Sequence, residues 1–267
     1  MSKIIMLGTG NGGTMNLYNT CFVIQNEEGN FLVDTGGSIE IIKRLKDLNI
    51  DIKDIHNIFI SHQHMDHLLG LIWMFKKLGR AAINGQIKEK INIYCNDKVY
   101  EAIKGVSSFI VQKKLTDALY KVTNFIILKN NDKHQINGIN YTFFDTCAKG
   151  DKQFGFECML NNKKLVFLGD ENMNPVISDR VKNSDYVMHE AFCIDSEEDI
   201  FHAYEENHST AMSAAKTMEE LNVKNLILYH TEDSHGKDKK CLYEKDAKKY
   251  FNGNVIVPDE MEKIEIK

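Results

Sequence analysis

Apolar and polar positions follow two rhythms along this chain. Twelve short apolar runs, rich in β-branched and aromatic residues, predict strands: KIIML (3–7), CFVIQ (21–25), FLVD (31–34), NIFIS (57–61), INIYC (91–95), NFIIL (124–128), YTFFD (141–145), FGFECML (154–160), KLVFLG (164–169), DYVMH (185–189), NLILYH (225–230) and NVIVP (254–258). Helical spacing appears between some of them. SIEIIKRLKDLN (38–49) repeats apolar residues every three or four positions behind a Ser cap, and LLGLIWMFKKLG (68–79) stops at a glycine. VYEAIKGVSSFIVQKKL (99–115) carries a looser helical period, and STAMSAAKTMEELN (209–222) opens on Ser-Thr and closes on Asn.

The early strands are separated by hairpin-length turns such as NEEGN (26–30), whereas later ones alternate with helices. That mixture predicts an α/β (α+β) fold of two packed sheets with helices outside, because a doubly wound parallel sheet would not contain so many hairpins. The chain has 267 residues, 43% of them hydrophobic, enough for one sizeable core. No low-complexity segment or linker interrupts it and it has two prolines, so residues 1–267 are expected to form a single domain.

Charge and cysteine content narrow the function classes. Thirty-three basic against 38 acidic residues give a net charge of −5, without the basic excess of a nucleic-acid binder. Lys76, Lys77 and Arg80, and separately Lys113 and Lys114, read as solvated helix faces. The six cysteines form no Cys-x-x-Cys pair and read as reduced thiols of a cytoplasmic protein. The apolar run in MSKIIMLGTG is too short for a signal peptide, and no run of 18 apolar residues predicts a membrane span. Trp73, beside Met74 and Phe75, reads as a core residue.

GTGNGG (8–13) matches the dinucleotide pattern G-x-G-x-x-G after a strand, with Asp34 about 20 residues on. Beyond Gly13 the chain continues as TMNLYNT and then another strand. No helix N-terminus is available there for a pyrophosphate, and the glycines read as a tight turn.

SHQHMDH (61–67) is the chemically loaded stretch. It lies at the mouth of a predicted strand, where His62 and His64, two apart in extended backbone, point the same way. Asp66 and His67 come next as the chain turns into a helix, so one loop can present ligands to two metals. Ligand-type residues end further predicted elements: Asp34 after FLV, Cys147 after YTFFDT, Asp170 in LGD and His230 after NLILY. A lone carboxylate at Asp170, just past an apolar strand, would be costly without a cation. His230 alone would read equally well as a core histidine.

The series Asp34, His62-x-His64-x-Asp66-His67, Asp170 and His230 resembles the metallo-β-lactamase superfamily over nearly the whole chain. LGTG (7–10), FGF (154–156) and His208-Ser209-Thr210 before the final histidine resemble its ribonuclease Z branch. The resemblance implies a four-layer αββα sandwich. It implies two divalent metal ions, with zinc the first expectation and manganese or iron(II) the alternatives. His62 and His64 would hold the first ion, Asp66, His67 and His230 the second, and Asp170 would bridge them; Asp34 would orient the histidine loop. His208 would be the general acid, with Glu190 orienting it, and Asp66 could take a proton from the attacking water.

Two departures qualify the resemblance. The third histidine of the first site should lie between YTFFD and FGF, where this chain has Cys147. Its thiolate either completes the site, or it is a buried thiol and the site is one ligand short. His134 reads as part of a hairpin turn and a poor substitute. The Gly/Pro-rich arm with which tRNA-processing members of the branch grip RNA has no counterpart, which places tRNA 3′ processing behind a small phosphodiester or nucleotide-like substrate. The implied function is a binuclear metal-dependent hydrolase, first a phosphodiesterase. Lactones, thioesters, sulfate esters or β-lactams are the alternative substrates, and a non-catalytic metal-binding sensor is the alternative class. By the same resemblance a homodimer is expected.

Overall fold

The computed structural model describes residues 2–267. The first half of the chain runs β1 (Lys3–Gly8), β2 (Cys21–Asn26), β3 (Gly29–Val33), α1 (Glu40–Asp47), β4 (Asn57–Ile60), α2 (Met65–Ile83), β5 (Ile91–Cys95), α3 (Asp97–Ile110), α4 (Lys113–Lys121) and β6 (Thr123–Ile127). The second half runs β7 (Lys133–Ile136), β8 (Ile139–Asp145), β9 (Phe154–Leu160), β10 (Lys163–Phe167), α5 (Ser178–Val181), β11 (Tyr186–Glu190), α6 (Glu198–Phe201), α7 (Ala211–Glu220), β12 (Asn225–Tyr229), α8 (Lys239–Ala247), β13 (Asn254–Ile256) and β14 (Lys263–Glu265).

The strands form two seven-stranded sheets, in the orders β14-β1-β2-β3-β4-β5-β6 and β13-β12-β11-β10-β9-β8-β7. The last strand crosses back to the first sheet, where Ile264 pairs antiparallel with Ile4. Both sheets are antiparallel along one flank and parallel along the other. Except for β1 and β14, antiparallel neighbours follow one another directly in the chain; the parallel strands are joined by longer connections that carry the helices.

The sheets face each other through an aromatic core: Phe59 meets Phe143 at 5.0 Å between ring centroids, Phe31 meets Tyr141 at 4.9 Å, and Phe22 meets Phe167 at 5.3 Å. A second apolar layer, with Leu45, Leu71, Phe75 and Ile103, joins the first sheet to α1, α2 and α3. A third, with Val181, Ala214, Met218 and Tyr243, joins the other sheet to α5, α7 and α8. The protein is therefore the expected four-layer α/β/β/α sandwich.

All twelve predicted strands are present, with ends shifted by a few residues. β7 and β14 are additional short strands that pair with only one neighbour each, and His134 lies within β7, not in the turn after it. The helical pattern at 99–115 is two helices: Val111 and Gln112 take extended backbone between α3 and α4. Asn96 caps α3 by accepting from the Val99 amide. Trp73 corrects its sequence reading: Met74 and Phe75 are buried, but Trp73 is 45% exposed, since its position on α2 falls outside the stripe that meets the sheet. No described helix is long and apolar enough to cross a membrane.

Candidate metal centre

The ends of six strands drawn from both sheets surround one cluster of histidine and carboxylate side chains. Asp34 lies just past β3, the histidine loop past β4, residues 146–153 past β8, Asp170 beyond β10, Glu190 at the end of β11 and His230 past β12. Asp34, Cys147 and His230 all take left-handed backbone, with φ of 53°, 55° and 59°. Such conformations cost energy for side chains with a Cβ and concentrate at functional sites.

Asp34 organises the loop. Its Oδ1 accepts the Ser61 amide at 2.8 Å, and its Oδ2 accepts the Ser61 hydroxyl and His67 Nδ1, each at 2.8 Å. Since a carboxylate can only accept, His67 carries its proton on Nδ1 and turns Nε2 into the cluster. The Ser61 hydroxyl, donating to Asp34, is left to accept from His62 Nδ1 at 3.0 Å. His62 therefore also presents Nε2.

Asp170 lies at the centre of these nitrogens. Its Oδ2 is 3.3 Å from His62 Nε2, 3.1 Å from His67 Nε2 and 3.5 Å from His230 Nε2. Asp66 Oδ2 is 3.2 Å from His67 Nε2 and 3.4 Å from His230 Nε2. The ligand atoms form two groups, each within 4.8 Å of one another: Asp66, His67, Asp170 and His230, and His62, His64 and Asp170. Asp170 belongs to both.

The electrostatics call for a cation. Burial alone would raise the carboxyl groups, yet His67 and His230 hold Asp66 well below the usual carboxylate range, and His62 and His67 do the same for Asp170. Burial lowers the His62 imidazole, whereas for His67 the facing Asp66, Asp34 and Asp170 outweigh burial and raise it strongly. His62 Nε2, His67 Nε2 and Asp170 Oδ1 are buried without a hydrogen-bond partner. Buried polar atoms of this kind are rare unless an ion or water completes them. A divalent ion can replace the His67 proton as the charge that offsets the carboxylates, so the donor set fits a metal.

Comparison with known proteins identifies the family. The family model described as anti-Pycsar protein Apyc1 matches residues 2–257. The chain belongs to that family. It is a metal-dependent hydrolase of the ribonuclease Z-like branch of the metallo-β-lactamase superfamily. A ribonuclease Z of Archaeoglobus fulgidus is 24% identical, with 97% of this chain and 96% of the relative covered. The metallo-β-lactamase fold protein YhfI of Bacillus subtilis superposes with a TM-score of 0.76 at 18% identity, with 98% of each chain covered. Human tRNase Z, short form, superposes with a TM-score of 0.73 at 20% identity, with 99% of each chain covered.

Six of the seven candidate ligands from the sequence, His62, His64, Asp66, His67, Asp170 and His230, are brought together. Cys147 is in neither group. The residue is partly buried against the apolar layer between the second sheet and its helices. The thiol lies 3.8 Å from the Asp145 carbonyl, and the residue lines a separate cavity of about 490 Å³ with Asn172, Met173 and Asn174.

His208 and Glu190 adjoin the metal cluster, forming a third group with His230. Glu190 Oε1 accepts the Ser209 amide at 2.6 Å, and Oε2 lies 3.7 Å from His208 Nδ1, an electrostatic pairing longer than a hydrogen bond. Phe192 stacks on the His208 ring at 4.8 Å between centroids. Burial would lower the His208 imidazole, but Glu190 and then Asp170 raise it to about 9. The GTGNGG turn leads to β2 with no helix, and Asn11 within it donates its amide to the Thr231 carbonyl at 3.2 Å, stitching the turn to the His230 strand.

Sequence pattern does not single out two of the participants. Ser61 reads only as part of the strand NIFIS, and its bond to His62 depends on Asp34 arriving from another strand. Asp151 accepts from His64 Nε2 at 2.8 Å, and its only sequence signal is a carboxylate in the loop that carries Cys147.

Proposed function

We propose that the protein is a binuclear phosphodiesterase acting on a small nucleotide-like phosphodiester, cyclic or linear. The observation that carries this is Asp170, one carboxylate shared by two ligand groups. Asp66, His67, Asp170 and His230 would hold one ion. His62, His64 and Asp170 would hold the other, three protein ligands leaving a position open, as catalytic sites do. Histidine and carboxylate donors suit zinc first, and manganese or iron(II) as well.

A pair of divalent ions in such a site supplies an acidified water and neutralises charge on phosphoryl oxygens. The protein's own groups provide the proton traffic. Asp66, held as a carboxylate by His67 and His230, is a candidate acceptor for the proton of the attacking water. His208, raised to about 9 by Glu190 and Asp170, would carry the proton that the leaving oxygen needs. Glu190 steadies the imidazolium, and Phe192 fixes the plane of the ring.

Composition supports a small substrate over structured RNA. The net charge is −5, and the chain contains no Gly/Pro-rich segment from which an RNA-gripping arm is built. The test is metal analysis of the purified protein with hydrolysis of bis-p-nitrophenyl phosphate, cyclic mononucleotides and a tRNA precursor compared side by side. Two divalent ions per chain and turnover of a small phosphodiester are expected. One ion or none, or cleavage of the tRNA precursor alone, would overturn the proposal.

A further inference from the structure

His64 differs from the other histidines of its loop. His62 and His67 are buried, and each is oriented by a buried partner on Nδ1, Ser61 for one and Asp34 for the other. His64 is 48% exposed and meets an exposed carboxylate instead: its Nε2 donates to Asp151 Oδ2 at 2.8 Å. Asp151 is not among the ligand atoms that cluster within 4.8 Å, whereas His64 is.

The segment bearing Asp151 is pinned on both sides. Glu171 accepts the Lys149 amide at 2.8 Å and the Gly150 amide at 3.2 Å. A Cβ at Gly150 would stand 2.8 Å from Glu171 Oε1, so the small residue leaves room for the carboxylate to reach both amides. On the other side, the Asn96 side chain donates to the Lys152 carbonyl at 3.0 Å, and Lys152 Nζ pairs with Asp97 at 2.7 Å. Thr146 and Gln153 close the base of the loop through a backbone bond of 3.0 Å. The carboxylate is thus delivered to His64 by a braced loop.

We infer that Asp151 is a positioning residue for the first metal site: by engaging His64 Nε2 it fixes the tautomer and ring so that Nδ1 is the atom offered to the ion. This rests on the metal reading above. It repeats, at the exposed edge of the site, what Asp34 does for His67, with the two ring nitrogens exchanged. An exposed ion pair contributes little to folding, so removing it should leave the fold intact and act on metal binding.

The experiment uses the full chain as wild type, Asp151→Ala and Asp151→Glu. Zinc affinity is measured by chelator competition, and the His64 tautomer by long-range proton–nitrogen NMR of the zinc-loaded protein. Wild type is expected to bind two ions with the His64 proton on Nε2. Asp151→Ala should weaken one of the two ions about 10- to 100-fold, leave the other unchanged and lose the fixed tautomer. Asp151→Glu should restore both in large part. If wild type binds two ions and Asp151→Ala changes neither affinity nor tautomer, the inference fails alone and the contact is an incidental surface pair. Complete loss of one ion, with His64 bound through Nε2 in wild type, would make Asp151 a ligand and also overturn it. Wild type that binds no zinc would overturn the metal reading and this inference with it.

Discussion

Asp170 lies within 3.5 Å of three imidazoles, each itself held or buried, and no other side chain among the described residues joins both ligand groups. Asp170→Asn keeps the shape but removes the charge that makes those nitrogens a cation site. The variant is expected to lose both ions on metal analysis and to lose at least ~10³-fold in phosphodiester turnover. Cys147 leads to the opposite expectation. Its sulfur lies 3.8 Å from the Asp145 carbonyl and outside both ligand groups, so Cys147→Ser should retain the metal content of wild type. Loss of one ion in that variant would contradict the observed placement. For His208, the folded-state value of about 9 stands above the ordinary 6.5. A raised imidazole stabilises the fold fully below its unfolded pKa and ceases to do so as pH rises through the folded one. In metal-free protein, the stability gap between wild type and His208→Gln should therefore be widest below pH 6.5 and close towards pH 9, as denaturant titrations would report. With metal, the same variant should lose roughly 10²–10⁴-fold in turnover.

At the scale of the element, α2 does most to assemble the site. It begins at Met65, so Asp66 and His67 occupy its first turn, where the helix N-terminus favours a carboxylate. The pattern at 68–79 locates its apolar body but not this turn, because Met65, Asp66 and His67 do not extend the apolar period. Farther along, Gly70 lets the helix approach the chain after β3 closely: its amide donates to the Gly36 carbonyl at 2.8 Å, and a Cβ there would collide with the Thr35 carbonyl. Gly70→Ala is expected to cost ~1–3 kcal/mol of stability by overpacking, read from chemical denaturation, although alanine is the better helix former. The break between α3 and α4 is hidden for a related reason. Apolar residues continue at helical spacing through 110–115, and nothing in GVSSFIVQKKL announces the extended Val111 and Gln112. β7 and β14 are short, polar and paired on one side only, so their strand character comes from their neighbours.

Across the whole molecule, the two sheets each turn from antiparallel to parallel pairing near the strands that supply the site. The ligands come from both sheets, so an ion held between them ties the halves together, and any ligand that binds only the folded state stabilises it. Removing metal with a chelator should lower the thermal midpoint, by the equivalent of ~2.7 kcal/mol when the free ion stood at 100 times its dissociation constant. An unchanged midpoint in calorimetry would place the ions elsewhere.

The set of elements and the chemistry at their ends are legible in the chain itself. Period-two and period-3.6 patterns report local burial, and a histidine cluster beyond a strand such as HQHMDH has few structural uses other than a metal. Which of the candidates meet is settled only by the tertiary arrangement. Cys147 lies at the expected place in the chain but packs against the layer of helices, outside both ligand groups, and Asp151, four residues later, reaches His64. Likewise Ser61 becomes a relay only because Asp34 approaches from a neighbouring strand, and Trp73 stays outside because the α2 stripe passes it by. Contacts between residues distant in sequence depend on strand register and backbone direction at loop ends. A local pattern of apolar and polar positions does not encode these.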